Sequence, residues 1–370
     1  MNTTTLVASP HAHAPVSIGR TMGLVLLALL PAALFGLYQF GWPAIWLLLV
    51  TTAAALLFEG AALAMAGKPV RPALMDGSGL LTGVLVAMTL PPWAPWWVGV
   101  IGAFIAIVVG KQVFGGLGQN LFNPAMVARV TLLISFPVEM TRFLYPRPLF
   151  SVDAPGPVDG LAITFLGRLP DGLTFDAISG ASLLSRVRTD LAQGLSLSEI
   201  LPDVLDPVQA MLGQIPGSLG ETSAALLATG GLFLIAKRVI GWQVPAAILG
   251  TIAAMATLMS LLDPDHYPGA VYHLLTGSTM LCAFFIATDP VTSPVSVRGQ
   301  VLFGVACGFL IYAIRTWGGY PEGVGFAVLL MNACTPMIDH YLRPRVYGRT
   351  RSGEPLPVPA DATAGKEQAR

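Results

Sequence analysis

The residues with the most specific chemistry lie in a hydrophilic stretch at mid-chain, Asp176-Ala177-Ile178-Ser179-Gly180-Ala181-Ser182. The pattern is Asp-x-x-[Ser/Thr]-Gly-Ala-[Ser/Thr]. It ends on a hydroxyl, the group that an ester or phosphoester needs. Gly180 and Ala181 keep the approach to that hydroxyl clear of bulky side chains. The same residues also read as an ordinary Ser/Gly turn before a helical stretch at 183–193. Thr174, Ser179 and Ser185 are neighbouring hydroxyls that could serve in place of Ser182.

A second set consists of ionisable and amide side chains inside apolar blocks, where polar groups are costly and are candidates for function. Asp289, Asn123, Asn332 and Glu59 are the candidates for an ion path. Each has a plainer reading. Glu59, like Arg129, suits an ion pair between helices or subunits. Asp289 precedes Pro290, a common way to open a turn. Asn120, Asn123 and Asn332 either coordinate an ion or flavin or satisfy backbone groups freed where a helix breaks. His273, at the start of an apolar block, reads as an interfacial hydrogen-bonder, and Asp339, near the end of the last block, as a solvated residue.

Other chemistries have little footing. Cys282, Cys307 and Cys334 fall in apolar blocks without a Cys-x-x-Cys pair, which argues against structural zinc or an iron–sulfur cluster. They read as small buried hydrophobes. No Walker loop, dinucleotide fingerprint or nucleophile–His–acid set is visible. Formal net charge is zero, so nucleic acid is not an expected partner.

The elements that must position these residues are membrane helices. Of 370 residues, 54% are hydrophobic and 11% charged, against roughly 25% charged in soluble domains. A bilayer core about 30 Å thick asks for roughly 20 apolar residues per spanning helix. About ten such blocks are present, at 21–40, 44–66, 78–91, 95–114, 122–137, 222–241, 243–262, 271–288, 299–316 and 321–341. The third is short and ends at Leu90-Pro91-Pro92, where proline removes a backbone donor. No cleavable signal precedes the first block, so it is expected to remain as an anchor.

Arg20, Lys68, Arg71, Lys111, Lys237, Arg238, Arg298, Arg343, Arg345, Arg349 and Arg351 fall on one side of this arrangement, with Arg315 the main dissent. The positive-inside rule then sets both termini in the cytoplasm and the segment 139–221 outside. The implied parts are a cytoplasmic segment 1–20, a first membrane unit 21–138, the external segment 139–221, a second membrane unit 222–342 and a cytoplasmic tail 343–370.

The two membrane units look alike. Ser78-Gly79-Leu80-Leu81-Thr82-Gly83 leads to Leu90-Pro91-Pro92, and Gly277-Ser278-Thr279-Met280-Leu281 leads to Thr288-Asp289-Pro290. Each is followed by a full span, a Gly-Gly pair (Gly115-Gly116, Gly318-Gly319) and an Asn-bearing span with Asn123 or Asn332. Units an odd number of spans apart are inverted. The fold class is therefore an all-α polytopic membrane protein of about ten transmembrane helices, as two inverted five-helix repeats with one external loop region. Inverted repeats with broken helices place a functional site near the midplane between them.

The Asp176–Ser182 motif resembles the site at which flavin transferase joins FMN to a hydroxyl side chain. Gly115-Gly116-Leu117-Gly118-Gln119-Asn120-Leu121-Phe122-Asn123-Pro124-Ala125-Met126, Leu275–Leu281, Ala287–Thr292, Gly318–Val324 and Arg343–Gly348 resemble, in the same order, the D subunit of the Rnf electron-transport complex. The related B subunit of sodium-translocating NADH:quinone reductase is similar. The resemblance runs from about residue 15 to 350. It implies a component of an ion-translocating oxidoreductase (a translocase) in the bacterial inner membrane. Covalent FMN would be joined to Ser182 as a phosphoester, with Ser179, Gly180 and Ala181 in the attachment motif. Asp176 would serve as a recognition or acid/base residue for the transferase. It further implies electron relay to neighbouring subunits, coupling of ferredoxin/NAD electron transfer to sodium or proton movement, and a non-covalent riboflavin at no residue this sequence identifies. The family residue at the attachment point is typically Thr, and here it is Ser182. A stand-alone channel or transporter for a small solute, and a membrane scaffold without flavin, are the alternatives.

Overall fold

The computed structural model describes residues 17–169, 179–180, 182–221, 223–320, 322–343 and 354. Helix dominates them. Strand among the described residues is one antiparallel pair, β1 (Phe143–Leu144) with β2 (Ser179–Gly180).

Helix α1 runs Ile18–Met65, opened by Ser17, whose hydroxyl accepts from the Arg20 amide at 3.2 Å. At about 1.5 Å per residue, its 48 residues would be more than twice as long as a bilayer core is thick. It is broken at Gly41, where φ is 72° and ψ −157°, into two arms that match two of the apolar blocks. Short helix α2 (Ser78–Thr89) follows. Helix α3 (Trp96–Phe104) continues in a π-helical stretch, Ile105–Gln112, and α4 is Pro124–Ser135.

The segment that follows contains α5 (Leu183–Ala192) among shorter helices. Leu183, Leu184, Val187, Leu197 and Ile200 form a core of their own that closes on Tyr272 of the membrane part, whose hydroxyl donates to the Leu183 carbonyl at 3.2 Å.

Helix α6 spans Ala224–Ala236 and α7 Gln243–Leu262. The block at 271–288, read from sequence as one span, is two pieces: a helical turn at Ala270–Leu275, then α8 (Thr279–Leu281) continued by π-helical Cys282–Ile286. Between them Gly277 has φ +65°, left-handed backbone that a helix cannot contain and that glycine adopts at least cost. Helices α9 (Val297–Trp317) and α10 (Val324–Tyr341) complete the chain.

Helices α1, α7 and α9 are long and apolar enough to cross a membrane. Helices α2 and α8 lie inside the bundle; Val86, Met88, Leu281 and Ile286 are fully buried. The outward faces are apolar too: Leu30, Leu34, Leu57, Leu232, Leu261 and Phe309 are exposed. An apolar exterior around buried polar side chains is the arrangement that lipid covers. This is a helical, multi-pass membrane protein.

Candidate functional site

Ser182 is the N-cap of α5. Its hydroxyl accepts from the Ser185 amide at 3.3 Å, and the residue is 8% exposed. Two residues before it, the backbone of Ser179–Gly180 pairs with Phe143–Leu144, in register Phe143 with Gly180 and Leu144 with Ser179. Strand pairing on one side and helix capping on the other thus fix the hydroxyl. Asp176, Ala181 and Thr174 lie outside the described residues. A cavity of about 20 Å³ adjoins Ser182 and is walled by Arg129, Thr141, Glu221 and Glu322. It is roughly large enough for a single water.

Behind that cavity lies a buried charge network. Arg129 pairs with Glu221 at 3.4 Å and also donates to the Thr89 carbonyl at the end of α2. The Ser278 hydroxyl donates to Glu221 at 2.9 Å, while the Ser278 amide donates to Glu322 at 3.0 Å. Glu322 pairs with Arg315 at 3.1 Å, and Arg315 donates to the carbonyls of His273 and Thr276 at 2.9 and 3.3 Å. The two arginines therefore satisfy the backbone where α2 ends and where the chain breaks before α8.

A second network lies at the start of α2. Lys111 pairs with Glu59 at 2.5 Å and donates to the Ser78 hydroxyl at 2.7 Å; both charged side chains are 2% exposed. Asp76 accepts from the Ser78 amide at 2.7 Å, and Gln112 donates to Glu59 at 3.2 Å. A cavity of about 90 Å³ opens beside this network, walled by Ser78, Lys111, Asn120, Asn123 and Asp289 among others. The Asn120 carboxamide oxygen is buried without a partner among the described residues.

The four ion-path candidates are gathered around that cavity. Asn123 and Asp289 are in its wall, Glu59 stands behind Lys111, and Asn332 contacts Asn123. Asn123 caps α4, accepting from the amides of Ala125 and Met126 at 3.1 and 3.3 Å, and its side-chain amide donates to the Ile286 carbonyl at 3.4 Å. Asp289 holds the turn after α8, accepting from the Val291 amide and the Thr292 hydroxyl, both at 3.2 Å. Glu59 and Arg129 are each in an ion pair within the chain. Asp339 accepts from the Val295 amide at 3.0 Å. Cys282 and Cys307 are buried and Cys334 partly so, all as free thiols.

Two results depart from the sequence reading. His273, read as an interfacial hydrogen-bonder, is 4% exposed, and neither ring nitrogen has a partner among the described residues. It packs between Tyr272 and Tyr312, with ring centroids 5.1 and 5.0 Å away. Lys111, Glu221, Ser278, Arg315 and Glu322, none taken as a site residue from sequence, form the densest charge clusters among the described residues of the membrane part. Their one sequence signal is position: Lys111 and Arg315 each close a span just before a Gly-Gly pair.

Comparison with known proteins fits this architecture. The model of the NQR2, RnfD, RnfE family matches residues 5–348. The D subunit of the ion-translocating oxidoreductase complex of Halorhodospira halophila is 55% identical, covering 95% of this chain and 97% of the relative. The protein of the same description from Stutzerimonas stutzeri is 51% identical over 92% and 95% of the two chains. That from Escherichia coli O1:K1 / APEC is 42% identical over 94% and 99%. The chain belongs to the NQR2, RnfD, RnfE family.

Proposed function

We propose that this member of the family is a membrane subunit of an ion-translocating oxidoreductase complex, alongside other membrane and peripheral subunits, and that it carries FMN joined to Ser182 through a phosphoester. The observation that carries this reading is the Asp176–Ser182 motif, in a chain matched almost end to end by proteins described as the D subunit of such a complex. FMN, when bound, supplies the electron-carrying ring. The residues present suit its attachment. Ser182 offers a hydroxyl at the N-terminus of a ten-residue helix, where it caps the Ser185 amide, and the start of a helix favours a phosphate. Flavin transferase performs the attachment, and neighbouring subunits exchange electrons with the flavin, so that ferredoxin/NAD electron transfer drives sodium or proton movement. Riboflavin is a second cofactor of this reading, assigned to no residue.

The ten-helix, two-repeat reading is part of the same proposal. Gly77 and Gly277 both have positive φ, and each precedes a buried serine that opens a short, buried helix. A basic side chain from the next full helix, Lys111 or Arg315, reaches back to each opening. Such pairing supports an inverted repeat, with Asp289, Asn123, Asn332 and Glu59 flanking the ion path between halves. Both termini lie in the cytoplasm of a bacterium and the segment 139–221 faces the periplasm.

The test is in-gel fluorescence. The full chain, coexpressed with flavin transferase and run on a denaturing gel, gives a fluorescent band under ultraviolet light. Ser182→Ala loses it, whereas Ser179→Ala and Ser185→Ala keep it. A dark wild-type band defeats the covalent assignment and leaves the transporter and scaffold readings standing.

A further inference from the structure

We infer that residues 145–166, at the start of the segment between the two membrane units, form a collar whose apolar side chains lie in the lipid interface beside α1.

The level of this stretch is set by the elbow at Gly41. The arms on either side of it, Ile18 to Phe40 and Trp42 to Met65, are each close to the roughly 20 residues that a bilayer core requires, so the elbow lies at a membrane surface. Residues 145–166 are laced to that elbow. The amides of Arg147 and Leu149 donate to the carbonyls of Gln39 and Tyr38 at 2.8 and 2.7 Å. The Trp46 indole donates to the Pro157 carbonyl at 3.3 Å, and the Thr164 hydroxyl to that of Pro43 at 3.4 Å. Gly160 approaches so closely that a Cβ there would stand 2.7 Å from the side chain of Trp42. Contacts spread along the whole stretch hold it at the height of the elbow.

Its side chains face the opposite way from those of a water-exposed lobe. Around α5, Leu183, Leu184 and Val187 are buried and Arg186, Thr189 and Gln193 exposed. Leu195 is the one exposed large apolar residue among those described from 182 to 202. Residues 145–166 reverse this pattern. Phe150 is 86% and Val158 76% exposed, and Tyr145, Val152, Phe165 and Leu166 are exposed as well. The stretch has only three charged residues, Arg147, Asp153 and Asp159, and Asp159 turns back on the Gly156 amide at 3.2 Å. Apolar exposure on this scale marks a covered surface.

Continuity makes lipid the cover. The Phe150 ring lies 6.4 Å from that of Tyr38, which shares an outward stripe of α1 with Leu30 and Leu34. Phe165 stacks on Trp96, at the start of α3, with ring centroids 6.3 Å apart. Apolar surface therefore runs from the lipid-covered arms into the collar, past Trp42, Trp46 and Trp96, the residue type that gathers at membrane–water boundaries. Side chains so placed enter the headgroup–acyl boundary to about 5–10 Å. The collar also follows directly on β1, which pairs with Ser179–Gly180. It thus ties the strand pair before Ser182 to the membrane surface.

The experiment uses the full chain in vesicles of phosphatidylethanolamine and phosphatidylglycerol, and the assembled complex in the same lipid. A spin label is attached to Val152→Cys and, as a control in the same segment, to Leu195→Cys. The signal of the unsubstituted chain, whose Cys282 and Cys307 are buried, is subtracted. Collisions with oxygen, which concentrates in lipid, are compared with collisions with a water-soluble nickel chelate. The ratio of oxygen to nickel collisions should be severalfold higher at 152 than at 195. The added emission of Phe150→Trp should be quenched by lipid brominated high in its acyl chains, and this quenching alone sustains the collar if the label distorts the turn. Equal ratios at the two positions, with unquenched emission, would overturn the collar. So would a label at 152 that neither reagent reaches in the assembled complex, which would assign the surface to a neighbouring subunit.

Discussion

The backbone amide of Asn123 donates to the carboxamide oxygen of Asn332 at 3.1 Å, across 209 residues of chain. One asparagine opens α4 and the other lies within α10, so the bond joins the first membrane unit to the second. Each uses its side-chain amide on a carbonyl of the segment around α8: Asn123 on Ile286, and Asn332 on Thr292 at 3.1 Å. Backbone freed at a broken helix has no water to turn to inside a bundle. The two carboxamides supply those bonds and lock the halves together.

Replacing Asn332 with Leu should therefore destabilise the whole bundle. It leaves the Asn123 amide without its acceptor. The Thr292 carbonyl retains only the Thr335 hydroxyl, which donates at 3.0 Å. Each buried polar group left unpaired costs about 1–3 kcal/mol. Thermal melting of the detergent-solubilised chain, followed by size exclusion, should show a clear fall in midpoint. An unchanged midpoint would mean that the bond contributes nothing to stability.

The Glu59–Lys111 pair gives a sharper test, because both side chains are almost fully buried. Lys111→Met strands a carboxylate that retains only Gln112, and breaking a buried pair costs about 3–5 kcal/mol. The double variant Glu59→Gln with Lys111→Met removes the stranded charge and should recover much of that loss. Melting midpoints of the two single variants and the double form the cycle. Additive losses would contradict the pairing.

Most helices were legible as apolar blocks; Gln243–Leu262 coincides with its block, and the break at Gly41 falls between two others. The break at Gly277 was not, because one glycine in a continuous apolar run reads as a packing residue as readily as a left-handed one. Glu59 and Arg129 announced a cost without naming what meets it. Their partners, Lys111 and Glu221, are 52 and 92 residues away at the edges of apolar blocks. A charge at a block's edge looks solvated until folding brings another segment of the chain over it. The Asp176–Ser182 pattern alone reads equally as a turn, and the weight for a flavin anchor at Ser182 came from motifs elsewhere in the chain; the unpaired ring nitrogens of His273 had no sequence signature at all.

Gly277→Ala and Gly67→Ala make a matched comparison. Both glycines are left-handed, with φ of +65° and +66°, so both variants bear the same backbone strain, about 1–2 kcal/mol. A Cβ at Gly67 meets open space, whereas one at Gly277 falls among Glu322, Arg315 and Leu184. The Gly277 variant should lose distinctly more thermal stability, and its loss should be smaller in a background where Glu322→Ala has already emptied the space. Equal losses at the two positions would show that the contact at Gly277 gives way freely.

The placement of charge predicts the chain's orientation. Arg315 was the main dissent from a one-sided distribution of Lys and Arg. In the structure it is 6% exposed and paired with Glu322. The positive-inside rule concerns free cations in short connections, so a neutralised, buried arginine carries little weight in it. With Arg315 and the equally buried, paired Lys111 set aside, the remaining Lys and Arg of the short connections still read as one side, opposite the long segment 139–221. A reporter active only in the periplasm, fused near residue 160 or 200, should therefore be on; fused after Lys68 or at the C-terminus, it should be off. A silent fusion at 160 with an active one after Lys68 would invert the arrangement and carry Ser182 to the cytoplasmic face.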